Sequence, residues 1–253
     1  MARDPGDVKV VILAGGKGTR LRPFTVTFPK PLVPLGDMPI LEVVLTQLRR
    51  HGFRDVTLTV GHLAGLIRAF VGEHPSLTKD LGISFVTEET PTGTAGSLAS
   101  INGLTGTTLV MNGDVLTNLD YRALVDDHEA SDAALTIAVH TVSETVDFGV
   151  LEADAAGTLR AYREKPSQSY DVSMGVYVYS ARAHSYIAPG AYLDFPDLVG
   201  RLLAAGEQVR VYRNDAFWLD IGRPDDYARA QDLFANDPGF FGLDPRSPEP
   251  SKS

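Results

Sequence analysis

The sequence has no cysteine. Disulfides, thiolate metal sites and cysteine nucleophiles are therefore excluded. It also has no apolar run of membrane-spanning length. Residues 1–7 carry two acids and no apolar stretch, so no signal peptide is expected there. Positive charge is scarce: 23 Lys and Arg stand against 32 Asp and Glu, a formal net charge of −9. That balance disfavours a general nucleic-acid binder or a polybasic membrane anchor, both of which need surplus cations for phosphates. A cytoplasmic protein with neither nucleic acid nor membrane as partner is the expectation. What remains is ordinary globular material, with 43% hydrophobic and 22% charged residues. A chain of 253 residues can bury a core without covalent staples.

The first half alternates two periodicities. Residues 9–13, 56–60, 83–86, 108–111 and 135–139 read as β-branched or apolar strands. Between them, residues 40–50, 63–71 and 119–129 space their apolar side chains as helices, and 96–101 suggests a short one. This rhythm implies an α/β fold with a Rossmann-like, mostly parallel sheet flanked by helices. The second half is less regular. Strands are expected at 150–152, 159–164, 176–179 and 209–213, with helices at 195–205 and 224–234. We read one domain over residues 1–236, with a regular half at about 8–140 and an inserted, less regular lobe drawn from about 141–236. Residues 237–253, rich in proline, serine and charge, read as a loose tail that Phe240 and Phe241 could partly dock. The six histidines show no metal-ligand spacing.

A further absence is local. No acid occurs from Val8 to Gly36, whereas Lys9, Lys17, Arg20, Arg22 and Lys30 all fall there. In an acidic chain this is a positive field suited to a small polyanion. The stretch includes Leu13-Ala14-Gly15-Gly16-Lys17-Gly18-Thr19-Arg20-Leu21, a glycine-rich turn directly after a strand. Such glycines let backbone N–H groups approach phosphate. The spacing is not that of a P-loop. It is not a dinucleotide fingerprint either, because the second strand leads to Gly61-His62 with no acid.

This turn, followed by Pro29-Lys30-Pro31-Leu32, resembles the signature of sugar-1-phosphate nucleotidyltransferases. The resemblance continues in order through Gly93-Thr94-Ala95-Gly96, Asn112-Gly113-Asp114, Phe148-Gly149-Val150, Glu164-Lys165-Pro166, Met174-Gly175-Val176-Tyr177 and Trp218-Leu219-Asp220-Ile221-Gly222. It implies the joining of a nucleoside triphosphate and a sugar 1-phosphate into a nucleotide-sugar and pyrophosphate. The attacking phosphate is already a nucleophile, so the chemistry demands positioning and charge stabilisation rather than a general base. Arg20, Lys30 and Lys165 are implied as the catalytic cations. Arg20 would serve the triphosphate, and Lys165 and Lys30 the sugar phosphate. Leu13, Ala14, Gly15, Gly16, Gly18, Thr19, Glu88, Gly93, Thr94, Asn112 and Gly113 are implied around the nucleotide. Gly149, Glu164, Ser173 and Gly175 are implied around the sugar, so the half at about 8–140 is implied as nucleotide-binding and the inserted lobe at about 141–236 as sugar-binding. Ser173 replaces an amide common in the family, so the sugar's identity is not carried over. Asp114 and Asp220 are implied as ligands of Mg²⁺, a cation that favours few carboxylates plus phosphate oxygens. Some relatives carry a hexapeptide-repeat domain after the catalytic one. These residues show none, and assembly or feedback functions tied to it are expected to be absent.

Glu88 bears on the base. Family members using uridine or thymidine nucleotides often have glutamine there. An ionised carboxylate only accepts hydrogen bonds. Guanine alone offers two adjacent donors, N1–H and the 2-amino group. GTP is therefore the favoured substrate, with Glu88 as reader, or Glu89 if the register is one residue longer. The stretch also resembles guanylyltransferases for mannose and heptose 1-phosphates. The alternatives are the same reaction with dTTP or UTP, and a catalytically silent homologue that binds nucleotide-sugar. The oligomeric state is left open.

Overall fold

The computed structural model describes residues 4–241. Its centre is a seven-stranded sheet built from β1 (Lys9–Ala14), β2 (Asp55–Val60), β3 (Gly82–Thr87), β4 (Thr108–Asn112), β5 (Leu135–Thr145), β6 (Ser167–Tyr179) and β7 (Val209–Arg213). Their order is β7-β5-β6-β4-β1-β2-β3. All pairings are parallel except those of β6, which runs antiparallel to both β4 and β5. The expected mostly parallel sheet is what the chain forms.

Alternation along the strands divides the core. Val10 and Ile12 face one apolar cluster with Leu109, Met111, Val176 and Val178. Val11, Val110, Tyr177 and Tyr179 face the other. The first layer is closed by helix α1 (Ile40–Arg50), whose Leu41, Val44, Leu45 and Leu48 are buried. Gln47 is the polar exception on that helix. Its amide donates to Thr117 O at 2.7 Å and to Phe241 O at 3.0 Å, tying the helix to the end of the described chain. Phe241 is buried and stacks on Phe234, so the expected docking of this segment is present. Residues 242–253 of the expected tail lie outside the described residues. Among the described residues no helix is long and apolar enough to cross a membrane.

Two expectations needed revision. Residues 96–101 do not form one short helix. A single α-turn, Gly93–Gly96, passes into a 3-10 turn, Ser97–Ser100. Strands β5 and β6 are much longer than the apolar segments at 135–139 and 176–179. Beyond Val139 and Ser173 they leave the sheet and pair with each other as far as Thr145 and Ser167. The extension is mostly polar, with only Val142, Tyr170 and Val172 as hydrophobic residues, and the Ser143 and Ser169 hydroxyls lie 2.9 Å apart across the ladder. No buried face marks it, so apolar periodicity could not reveal it. The hairpin Val150–Ala153 with Leu159–Arg163 completes this lobe.

Candidate active site

The parallel strands deliver their following residues to one edge. β1 ends in Gly15, β2 in Gly61, β3 in Glu88 and β4 in Gly113-Asp114. This carboxyl edge is where open α/β sheets bind ligands. The turns there pack without side chains between them. Gly113 N donates to Leu13 O at 2.9 Å. Leu13, Ala14, Gly16, Lys30, Pro31, Gly113 and Asp114 line a small cavity. A Cβ on Gly15 would lie 2.7 Å from Glu88 Oε2, so a larger residue would evict the carboxylate. Glu88 Oε1 accepts from the Thr92 hydroxyl at 2.8 Å. Glu88 is half-buried, whereas Glu89 is exposed, which settles which of the two faces the glycine turn.

Asp114 and Asp220 are brought together by a short antiparallel ribbon. Val115–Thr117 pairs with Trp218–Asp220, setting Asp220 opposite Val115. Ile221 N also donates to Asp114 O at 3.2 Å. Between the two carboxylates sits Lys30, only 8% exposed. Its Nζ donates to Asp114 Oδ2 and lies 3.6 Å from Asp220 Oδ1. Arg20 reaches the same place. Its guanidinium carbon is 3.6 Å from where a Cβ of Gly222 would stand, and that point is 3.3 Å from Asp220 Oδ2. Burial and the nearby Asp114 push the Asp220 carboxyl above the usual carboxylate range, while Lys30 and Arg20 pull against that rise. Asp114 Oδ1 is buried and has no hydrogen-bond partner.

That orphaned oxygen tests the fit of a divalent cation. Two carboxylates converge on one lysine ammonium, and one oxygen is left over. Among the described residues no group of three or more His, Cys, Asp or Glu gathers as a metal site, so Asp114 and Asp220 stand as a pair of carboxylates. Mg²⁺ commonly takes one or two carboxylates and completes its shell with water and phosphate. The donor set fits such an ion.

The other sequence-indicated residues are placed unevenly. Asn112 Nδ2 would be 2.7 Å from a Cβ on Gly175, so these two meet at the edge. Ser173 donates to the Tyr177 phenol at 3.1 Å and accepts from Gly175 N. Burial pushes the Tyr177 phenol upward. Gly93 abuts Leu193 O. The Thr94 N–H donates to Asp194 at 3.0 Å, and its hydroxyl accepts from Phe195 N, so its polar groups are engaged within the protein. Gly18 and Thr19 lead into a 3-10 turn that carries Arg20. Gly149, Glu164 and Lys165 stand together in the lobe. Lys165 is exposed, with φ at 44°. It lies two residues before β6, and Ser167 to Ser173 spans six residues of that strand, about 20 Å at about 3.3 Å per residue. The ion pairs of Asp114 and Asp220 are made with Lys30, and Lys165 joins neither acid. Sequence reading missed Thr92 and Tyr162, since neither falls in a quoted motif. It also treated Lys30 as a phosphate ligand without foreseeing its bond to the aspartates.

Residues 9–237 match the family model for nucleotidyl transferases, and the chain belongs to that family. Its relatives differ in the base they name. The chain is 32% identical over 228 residues to a mannose-1-phosphate guanylyltransferase of Mycobacterium tuberculosis, covering 88% of this chain and 63% of the relative. It is also 32% identical over 241 residues to a UTP–glucose-1-phosphate uridylyltransferase of Synechocystis, covering 88% and 62%. The chain thus spans a little under two thirds of these curated relatives. Among solved structures, HddC from Yersinia pseudotuberculosis complexed with GMP-PN is similar with TM-score 0.69 and 25% identity, over 90% of this chain and 99% of that one.

Proposed function

We propose that the chain transfers a nucleoside monophosphate from a nucleoside triphosphate to a sugar 1-phosphate, with GTP favoured and Mg²⁺ as the metal. The observation carrying this reading is the convergence of Arg20, Lys30, Asp114 and Asp220 beside the glycine-rich turn. A sugar-phosphate oxygen attacks the α-phosphorus. The new P–O bond forms as the bond to the β-phosphate bridging oxygen breaks, and pyrophosphate leaves with that electron pair. Backbone N–H groups of Gly15–Gly18 receive phosphate oxygens. The Arg20 fork offsets charge growing on the leaving pyrophosphate. Lys30 supplies a cation excluded from solvent, where its field is strongest. Asp114 and Asp220 would hold Mg²⁺, which when bound shields the triphosphate and polarises the α-phosphorus. A silent binder would have little need of both acids beside the buried lysine.

For the base, Glu88 favours guanine, because its Oε2 borders the turn and a carboxylate offers no donor. The guanylyl relative and the HddC complex with GMP-PN support this choice. The uridylyl relative supports the second reading, UTP or dTTP. Pyrophosphate release measured for GTP, UTP, dTTP, ATP and CTP against a panel of sugar 1-phosphates tests both. We expect GTP to lead by a wide margin with at least one sugar. A UTP or dTTP lead would replace the base assignment, and no release with any pair would end the reading.

A further inference from the structure

The lobe holds an aromatic residue that packing does not explain. Tyr162, in the strand Leu159–Arg163, is 59% exposed, and neighbouring Phe148 is 76% exposed. Yet the Tyr162 phenol is held in place. Its hydroxyl donates to Glu164 Oε2 at 2.7 Å. A Cβ on Gly149 would stand 2.2 Å from that hydroxyl and 2.6 Å from the ring carbon bearing it. Gly149 is not among the residues of left-handed φ, so the glycine serves space rather than backbone freedom. A phenol is thus seated over one residue assigned to the sugar and bonded to another.

We propose that Tyr162 determines sugar specificity: its phenol oxygen accepts a hydrogen bond from one hydroxyl of the bound sugar 1-phosphate. The proposal rests on the nucleotidyl-transfer reading. The donated proton is committed to Glu164, which leaves the oxygen lone pairs as acceptors. The bond to Glu164 also pushes the phenol pKa upward, so the group stays protonated at neutral pH. Glu164 Oε1 remains for a second hydroxyl. The pair then reads two neighbouring donors on a pyranose, and Gly149 opens the room for it.

The test uses wild type, Tyr162→Phe and Gly149→Ala with the best sugar 1-phosphate and its monodeoxy analogues. Tyr162→Phe keeps the ring and removes only the acceptor. It should lower kcat/KM for the parent sugar phosphate about 5–10-fold, with KM for the nucleotide unchanged. For one deoxy analogue, lacking the hydroxyl that Tyr162 reads, wild type and variant should coincide, while the other analogues keep their penalties. Gly149→Ala should push the phenol aside and erase the same preference. Thermal melts confirm that the variants fold. A uniform loss across all analogues, or none, would overturn the role of Tyr162 while leaving nucleotidyl transfer intact. Absence of turnover by wild type with every sugar 1-phosphate would overturn both.

Discussion

Asp114 and Asp220 share one buried lysine, and replacing either acid should be felt at the chemistry before it is felt in the fold. Asp114→Asn and Asp220→Asn keep volume and remove one carboxylate charge each. We expect each to lower kcat by about 10²-fold or more at saturating Mg²⁺, with circular dichroism unchanged. A near-normal rate in one variant would remove that residue from the metal site. In the proposed base choice Glu88 would act through a different property, its lack of a donor. Glu88→Gln turns one acceptor into an NH₂ group facing a guanine donor. GTP use should fall by about 10²-fold, from a lost charge-assisted bond and the mispairing that replaces it. UTP and dTTP should gain relative to GTP, since an amide pairs with their N–H and carbonyl together. An unchanged GTP:UTP ratio would leave Glu88 without a role in base choice. The glycines, Arg20, Lys30 and both acids were legible as residues because they sit in long contiguous motifs. Thr92 and Tyr162 were not, because their roles depend on where Glu88 and Glu164 point.

Among the elements, agreement follows burial. Ile40–Arg50 begins and ends where its apolar spacing indicates, since one face is wholly buried. The β5–β6 extension escaped because its two faces are both polar or exposed. The short helix Ala181–His184 after β6 carries a pH-sensitive group. His184 stacks on buried Tyr179, and its Nε2 is buried without a partner. Burial pushes its imidazole down to about 4. In the unfolded chain it takes up a proton near its ordinary pKa of about 6.5, whereas in the fold it resists until about 4. The unfolded state therefore binds more protons in that window, and stability falls as pH drops from about 6.5 towards about 4. His184→Phe preserves the stacking and removes the titration. The decline in Tm between about pH 7 and about pH 5 should be shallower in this variant than in wild type. Equal slopes would mean that His184 is protonated alike in both states. His128, whose imidazole burial also lowers, contributes in the same direction and remains in both proteins.

At the scale of the molecule, fold class was legible because two periodicities alternate over the first half and each repeat must cross a sheet. The site was legible in part. The residues proposed for the nucleotide gather where four parallel strands end, a position that topology dictates. Those proposed for the sugar lie on a lobe whose reach is set by the course of a polar ribbon, and no periodicity encodes that. The acid-free stretch from Val8 to Gly36 does not form one positive field in the fold: Lys9, at the start of β1, pairs with Asp55, whereas Lys30 lies between Asp114 and Asp220. Nucleotidyl transfer as proposed requires attack at the α-phosphorus. GTP labelled at its α-phosphate, incubated with Mg²⁺ and the best sugar 1-phosphate, decides it. The label is expected in a GDP-sugar, with unlabelled pyrophosphate released in equal amount. Label recovered as GDP or GTP alone, with no sugar nucleotide formed, would contradict it.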